Sequence, residues 1–465
     1  MFNLVLFLFL FSYLALVLGF KGTYLRKTVG NSRRASFGTT LQMVTTSRSR
    51  KNLFERLTQA ATYLVEQPTR AQYATAMATR FAYFLSQSLV ISQLPGLAAR
   101  PAPSPTPAPA SATLDVAAVI AAVSDALLVD SPDDIAGTIP PVSEKAWLGS
   151  DDQRALFGKN FASIINVMRR DLKNIESGIY KMPYDLELSY AAQWNPLRVA
   201  TQASAYVSDR RDVLERSRRG AKGGLELREK FIGSPDKYPD YYLQNFHYQT
   251  DGWLSATSSQ LYDYQVESLF MGTADAMRRQ ILPSMAQFFN DKQARGEKVA
   301  HLDVATGTGR FLSFVLQNYP DLEATCLDLS PFYLADAKTL LSKKYPQVKY
   351  CEAAAEKIPF PDASFDSISC VYLFHELPHE VRVAVVAEMA RVLKPGGRVF
   401  FVDSAQKGEV PADRVLEGFT IIAHEPYYLN YTEEDLSKLF GDSGFDVDTS
   451  RVEWVSKCVT LTKRA

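Results

Sequence analysis

Two carboxylates and two closely spaced glycines carry the strongest chemical signal in this chain. The run Val299-Ala-His-Leu-Asp-Val-Ala-Thr-Gly-Thr-Gly-Arg-Phe311 reads as a buried strand up to Val304, a small-residue turn, and a helix opening near Arg310. Glycine at 307 and 309 permits positive φ and close backbone approach to a ligand. The helix start adds unpaired N–H groups. A second apolar run, Ala324-Thr-Cys-Leu-Asp-Leu-Ser330, places another acid, Asp328, at its end. The arrangement suits a nucleoside-containing ligand. A dinucleotide fingerprint would read G-x-G-x-x-G with an acid about 20 residues on. Here position 312 is Leu, and Asp303 stands before the turn, where a dinucleotide strand is apolar. A nicotinamide-dependent oxidoreductase is therefore only the alternative.

A second constellation, His375-Glu-Leu-Pro-His379, matches the zinc-binding H-E-x-x-H pattern. That chemistry needs both imidazoles one turn apart on one helix face. Pro378 would sit inside the helix, where it removes a backbone bond and clashes with the preceding turn, at about 3 kcal/mol. No metal is expected from this motif. His375 is placed near substrate or donor, and His379 at a helix start on the surface.

The elements that would position these residues follow in order. Tyr350 to Asp366 reads as a third strand and a loop, and Ser367 to His375 as a fourth strand and its exit. Val383 to Leu393 is an amphipathic helix, Lys394-Pro-Gly-Gly397 a turn, and Arg398 to Asp403 a fifth strand. Tyr431 to Phe440 reads as a helix. Val447 to Trp454 and Lys457 to Thr462 form two strands joined by a short turn.

This order, with acid-x-Ala-x-Gly-x-Gly at 303–309 and Asp328 ending the next strand, resembles the class I S-adenosylmethionine-dependent methyltransferases. Leu-Asp-Leu-Ser-Pro331 and Ile-Pro-Phe360 are nearest the UbiE-like small-molecule branch (methyltransferase type 11). The resemblance covers residues 260–465. It implies an α/β fold: a Rossmann-like seven-stranded sheet with helices on both faces, here preceded by a mostly helical N-terminal region. It implies S-adenosyl-L-methionine as cofactor, with Asp303, Ala305, Gly307, Gly309, Asp328, Leu329, Ala355 and Glu356 around it. Gly307 and Gly309 would leave room for the methionine portion. Asp303 would orient the loop or bind the methionine amine. Asp328 would accept from both ribose hydroxyls, since a carboxylate offers two acceptor oxygens. The family often has Asp at position 354 for the adenine amino group. Ala354 cannot do this, so a backbone carbonyl or Glu356 would substitute, or packing alone. His375 and Tyr372, then His424, are the candidate general bases, needed only if the acceptor must lose a proton. The Asn/Asp-Pro-Pro-Tyr motif of nucleic-acid amino-methyltransferases is absent, with Cys370-Val-Tyr-Leu in its place. That points to a small-molecule acceptor, a quinone, isoprenoid, pigment or lipid precursor, and not to nucleic acid. A catalytically inactive methyltransferase-like assembly or scaffolding factor is the other alternative.

Charge is balanced, with 51 basic and 51 acidic residues, but residues 1–51 carry eight basic residues and no acid. The remainder is therefore at −8, without the basic footprint of nucleic-acid binding. Leu4 to Leu18 is apolar but shorter than the roughly 20 residues of a spanning helix. With the Arg/Ser/Thr-rich stretch that follows Phe20, it reads as a signal peptide plus transit peptide over residues 1–50. This resembles the bipartite leaders of algae with complex plastids; simple secretion is the alternative. Cys326, Cys351, Cys370 and Cys458 all fall in expected strands, without a C-x-x-C pair, and read as buried free thiols.

Residues 51–112 read as a helical segment, Leu53 to Leu94, interrupted at Pro68, followed by a Pro/Ala-rich linker over 98–112. The segment's amphipathic character leaves open a peripheral membrane contact. Residues 113–259 read as a helical region, including a solvated charged face from Asp209 to Lys222, and an aromatic-rich segment. In the latter, Tyr238 to Leu254, six aromatics other than His fall within seventeen residues, as a lid or as ordinary packing. Residues 261–270 and a stretch from Gly272 read as helices that cover the donor site. Tyr264, Arg278 and Arg279 are candidates to face the pocket, with a surface salt bridge for at least one arginine. Oligomeric state is not legible.

Overall fold

The structure is a computed structural model that describes residues 67–93, 122–124, 126–128, 151–187, 205, 209, 237–249, 251–410, 416 and 424–465. The leader, the Pro/Ala-rich linker and nearly all of the Asp209–Lys222 charge run lie outside these residues. No described helix is long and apolar enough to cross a membrane.

Seven strands form one sheet: β1 (Ala300–Val304), β2 (Glu323–Asp328), β3 (Lys349–Glu352), β4 (Phe365–Val371), β5 (Leu393–Ser404), β6 (Phe445–Glu453) and β7 (Ser456–Lys463). Their order is β3-β2-β1-β4-β5-β7-β6. β1 to β5 pair in parallel, and β7 runs antiparallel to both neighbours. The chain reverses direction across the sheet between β1 and β4. Ligands of open α/β sheets bind at such a switch point, beyond the carboxyl ends of the strands. The described helices are α1 (Pro68–Gln93), α2 (Asp151–Glu176), α3 (Ala256–Leu269), α4 (Ala274–Arg279), α5 (Leu282–Ala294), α6 (Arg310–Asn318), α7 (Pro331–Leu341), α8 (His379–Val392), α9 (Tyr428–Thr432) and α10 (Leu436–Asp442).

Side chains alternate across a strand with period two, and β5 shows the consequence. Phe400 and Val402 join the core shared with α1, α2, α5 and α6, while Val399 and Phe401 join the core under α8 and α10. Both faces are covered, so the central strands read as nearly continuous apolar runs. The first core takes in the N-terminal helices. α1 buries Tyr73, Met77 and Phe81, one turn apart, and α2 buries Phe161, Ile164, Ile165, Met168 and Leu172.

Pro68 opens α1, where its missing N–H is an orphan anyway, and residues 53–66 before it lie outside the described residues. Two expectations need correction. Tyr431 to Phe440 is not one helix. It is split into α9 and α10, because Asp435 caps the second by accepting the Lys438 N–H at 3.0 Å. The turn at 394–397 is carried within β5, with a register shift against β4 opposite it.

One polar element sits inside β1. His301 is fully buried, with Nδ1 2.8 Å from Ser367 Oγ and Nε2 2.9 Å from Ser369 Oγ. The Ser369 hydroxyl donates to Asp303 at 2.5 Å. It must therefore accept from His301 Nε2–H, which leaves Nδ1 to accept from Ser367. Burial pushes this neutral imidazole down to about 3. A depressed histidine keeps its full stability contribution above the unfolded value near 6.5 and loses it as pH falls from there toward 3. The loss is about 2 kcal/mol at pH 5. Urea unfolding at pH 7 and pH 5 should show the wild type losing that much more than His301→Gln. Equal losses in the two proteins would refute the assignment.

Candidate cofactor and acceptor site

The glycine turn is held from three sides. Asp303, 2 % exposed, accepts the Thr306 hydroxyl at 2.5 Å and the Ser369 hydroxyl through its other oxygen. Both oxygens are thus engaged in fixing the turn, and burial pushes the carboxyl up to about 6. Of its two anticipated roles, this geometry serves loop orientation. The Thr308 hydroxyl donates to Asp263 on α3 at 2.9 Å. Arg310, the first residue of α6, pairs with Asp275 on α4 and with Asp185 of the short Tyr184–Leu186 turn.

Within the turn, Ala305 has φ +55° and Gly307 φ +57°. A side chain in this region carries roughly 1 kcal/mol of strain, which Ala305 bears. The two glycines differ in what they face. A Cβ on Gly309 would lie 3.1 Å from the Ala337 Cβ on α7, so this glycine lets two helices close on each other. A Cβ on Gly307 would meet nothing within 4 Å.

Asp328 stands beside that open space. One oxygen accepts the Gly307 N–H at 2.8 Å and the other the Ser330 N–H at 2.9 Å. Each oxygen retains a lone pair, and the side chain is only half-buried. Burial raises its pKa to about 6, against the pull of the Ser330, Gly307 and Leu329 N–H groups. Leu329 packs with Tyr238, Leu243 and Leu254 of the aromatic-rich segment. Ala355 is half-buried against the core under α8. The carbonyl of Ala354 is taken up by the Lys357 N–H at 3.1 Å. Glu356 is different: Tyr241 donates to Oε1 at 2.7 Å, while buried Oε2 has no partner. An acceptor is therefore left where Ala354 supplies none.

These residues fit an adenosyl donor. There is a two-oxygen acceptor for a diol, an unpartnered buried acceptor for an amino group, and a turn without a side chain at 307. The aromatic-rich segment forms a wall over them. Trp253 accepts from Ser330 Oγ through its carbonyl at 2.6 Å and meets Tyr262 and Tyr333 edge-on.

Beyond β4 and β5 lies a second polar group. His375 Nδ1 is 2.6 Å from Asp403, which also accepts the Phe374 and Ser404 N–H groups. Burial works against the imidazolium, but Asp403 outweighs it and His375 rises to about 9. Its Nε2 faces Glu376 at 3.6 Å and Glu425 at 4.0 Å. His247, from the aromatic-rich segment, brings its Nε2 to 2.8 Å from Glu425 and 3.4 Å from Glu376. Pro378 caps α8 from outside and His379 begins it, exposed and paired with Glu434. The two histidines of H-E-x-x-H thus do not share a helix face.

Tyr372 is not placed to take a proton. Its hydroxyl is 2.7 Å from Ser456 Oγ, and burial raises it well above the usual range. His424 borders this region, with burial lowering its pKa. Arg278 and Arg279 form no surface salt bridge: both are buried, on Asp275 and Asp171. Tyr264 is tied to Tyr83 at 2.8 Å. Sequence reasoning missed His247, Glu425 and Asp403. The aromatic-rich composition marked the neighbourhood of His247; nothing local marks Glu425.

Residues 302–397 match a methyltransferase domain family. A demethylmenaquinone methyltransferase of Chlorobaculum tepidum is 35% identical over 178 residues, which is 37% of this chain and 66% of the relative. An O-methyltransferase of Penicillium expansum is 31% identical over 157 residues, 33% of this chain and 54% of the relative. The chain thus spans just under two thirds of the first and about half of the second. A solved 1,6-didemethyltoxoflavin-N1-methyltransferase of Burkholderia thailandensis, with bound 1,6-didemethyltoxoflavin and S-adenosylhomocysteine, is 16% identical. It covers 45% of this chain and 88% of its own, with a TM-score of 0.33. The fold is a Rossmann-like seven-stranded sheet, and the residues that match the methyltransferase domain family run from β1 into β5.

The two glycines should separate experimentally. Gly309→Ala should lose about 2–4 kcal/mol of stability, from overpacking against α7 and positive φ together. Gly307→Ala should lose only about 1–2 kcal/mol from its backbone, while its methyl group enters the donor space and weakens donor binding. Denaturant unfolding and calorimetric titration with the donor read the two effects. Equal behaviour of the two variants would contradict this division.

Proposed function

We propose that this chain is an S-adenosylmethionine-dependent methyltransferase acting on a small, hydrophobic, quinone-like acceptor. One observation carries the reading: Asp328, fixed by two backbone N–H groups at the carboxyl end of β2, next to β1 of the switch point, faces the open space beside Gly307. The match to the methyltransferase domain supports it, as do relatives named for methylation of demethylmenaquinone and for O-methylation.

When bound, the donor supplies a methyl group on a positively charged sulfur. The residues then have three tasks. Gly307, Asp328 and Glu356 fix the donor, so that methyl transfer proceeds in line from a set distance. Trp253, Tyr262 and Tyr333 form an apolar wall that excludes water and suits a flat ring. Glu425, whose oxygens lack hydrogen-bond partners, would receive the proton of an acceptor oxygen or carbon acid, beside the cationic His375 that Asp403 holds. The acceptor atom forms the new bond to carbon, the sulfur keeps the electron pair of the broken one, and the proton leaves the acceptor toward this group. The bipartite leader expected over residues 1–50 would suit a plastid setting, with the secretory pathway as the alternative compartment.

Purified protein, isotope-labelled donor and an extract of the native compartment should give a labelled small molecule. Asp328→Ala should weaken donor binding by at least about tenfold, or 1.4 kcal/mol, while its thermal midpoint stays near the wild type's. Unchanged affinity by calorimetry would remove the ribose role. Donor binding without transfer to any component of the extract would favour the scaffolding alternative.

A further inference from the structure

We propose that His247, His375, Glu376 and Glu425 form a binding site for one first-row divalent metal ion on the acceptor side of the pocket. Three of these groups, His247, Glu376 and Glu425, offer ligand atoms that all lie within 4.8 Å of one another. Glu425 is 5 % exposed, yet neither of its oxygens has a hydrogen-bond partner, and buried Glu376 leaves Oε2 unpartnered. His247 Nε2 lies 2.8 Å from Glu425 Oε1, an ion pair while the imidazole carries its proton and a shared ligand pair once it does not. Leaving buried carboxylate oxygens unmatched costs on the order of 1–3 kcal/mol each. Ligand atoms from three residues within 4.8 Å of one another, most of them buried, call for a common partner.

The spacing fits a cation. Ligands about 2.1 Å from a tetrahedral ion lie roughly 3.4 Å from one another. Here His247 Nε2 is 3.4 Å from Glu376 Oε1, and His375 Nε2 is 3.6 Å from the same oxygen. His375 Nε2 reaches Glu425 Oε2 at 4.0 Å. The orienting shell is also present. Asp403 holds His375 Nδ1 at 2.6 Å and is itself fixed by two backbone N–H groups. A carboxylate on the far nitrogen of a ligating imidazole aims the ring and raises its basicity. Imidazoles mixed with carboxylates select zinc, manganese, iron or cobalt over magnesium or calcium.

The site takes the first two residues of the H-E-x-x-H motif but not its second histidine. His379 is exposed on α8 and paired with Glu434. His247 and Glu425 replace it from two remote segments. Resting on the methyltransferase reading, the ion gives the acceptor class more definition: a ring with two adjacent oxygens, which a metal chelates and turns toward the donor.

The test uses the full chain, stripped with a chelator, dialysed and titrated with Co2+, following the visible absorption of the bound ion. A parallel Zn2+ titration is read by elemental analysis. The wild type should bind about one ion per chain. His247→Gln and Glu425→Gln should each weaken binding by about tenfold or more, with far-UV circular dichroism unchanged. His379→Gln should bind as the wild type does. Saturable binding absent from the wild type, unaltered in Glu425→Gln, or lost equally in His379→Gln would overturn the proposal. Donor calorimetry on the same samples keeps the two readings apart. Donor binding without metal would remove only the ion, and metal binding without donor would remove only the methyltransferase.

Discussion

The arrangement of the site depends on a buried group of alternating charges around Asp275. Arg310 and Arg80 both reach its Oδ2, and Arg278 its Oδ1; Arg80 and Arg310 also share Asp185, and Arg80 meets Glu267. Three guanidiniums therefore face three carboxylates. Burial alone would raise Asp275, but the arginines hold it well below the usual carboxylate range. Glu267, with less cationic company, rises to about 7. Buried pairs of this kind add little net stability over apolar residues. Removing one partner strands a charge, at about 3–5 kcal/mol. The consequence is geometric. Arg310 is the residue after Gly309, so the same ions that dock α1 and the Tyr184–Leu186 turn also fix the start of α6 and the glycine turn before it.

That constraint explains which parts of the molecule were legible in sequence. The strand, turn and helix around Asp303 to Phe311 are local, and their periodicity and glycine spacing were enough to place them. Asp328 was legible for the same reason, as the acid ending the next apolar strand. The arginines were not. Arg279 reads as exposed or pocket-facing because its partner, Asp171, is 108 residues away and sits on a helix whose docking no local pattern reports. Tyr372 had the right position after β4, but its hydroxyl is claimed by Ser456, 84 residues further on.

The aromatic-rich segment shows how one stretch can link both halves of a pocket. Tyr241 holds Glu356, and the carbonyl of Trp253 receives the Ser330 hydroxyl next to Asp328. Between them, His247 reaches Glu425 and Glu376. His247 itself has φ +52°, a left-handed conformation that costs a non-glycine residue of order 1 kcal/mol or more. Its ring is braced against the Trp253 ring at 5.2 Å between centroids, edge to face. The strain and the bracing act on one residue. A segment that only filled space between helices and sheet could relax this backbone. One that aims an imidazole at two carboxylates, while its neighbours hold the Asp328–Ser330 loop and Glu356, cannot. The single stretch 241–253 thus sets Glu356 and Ser330 at one end of the site and Glu376 and Glu425 at the other.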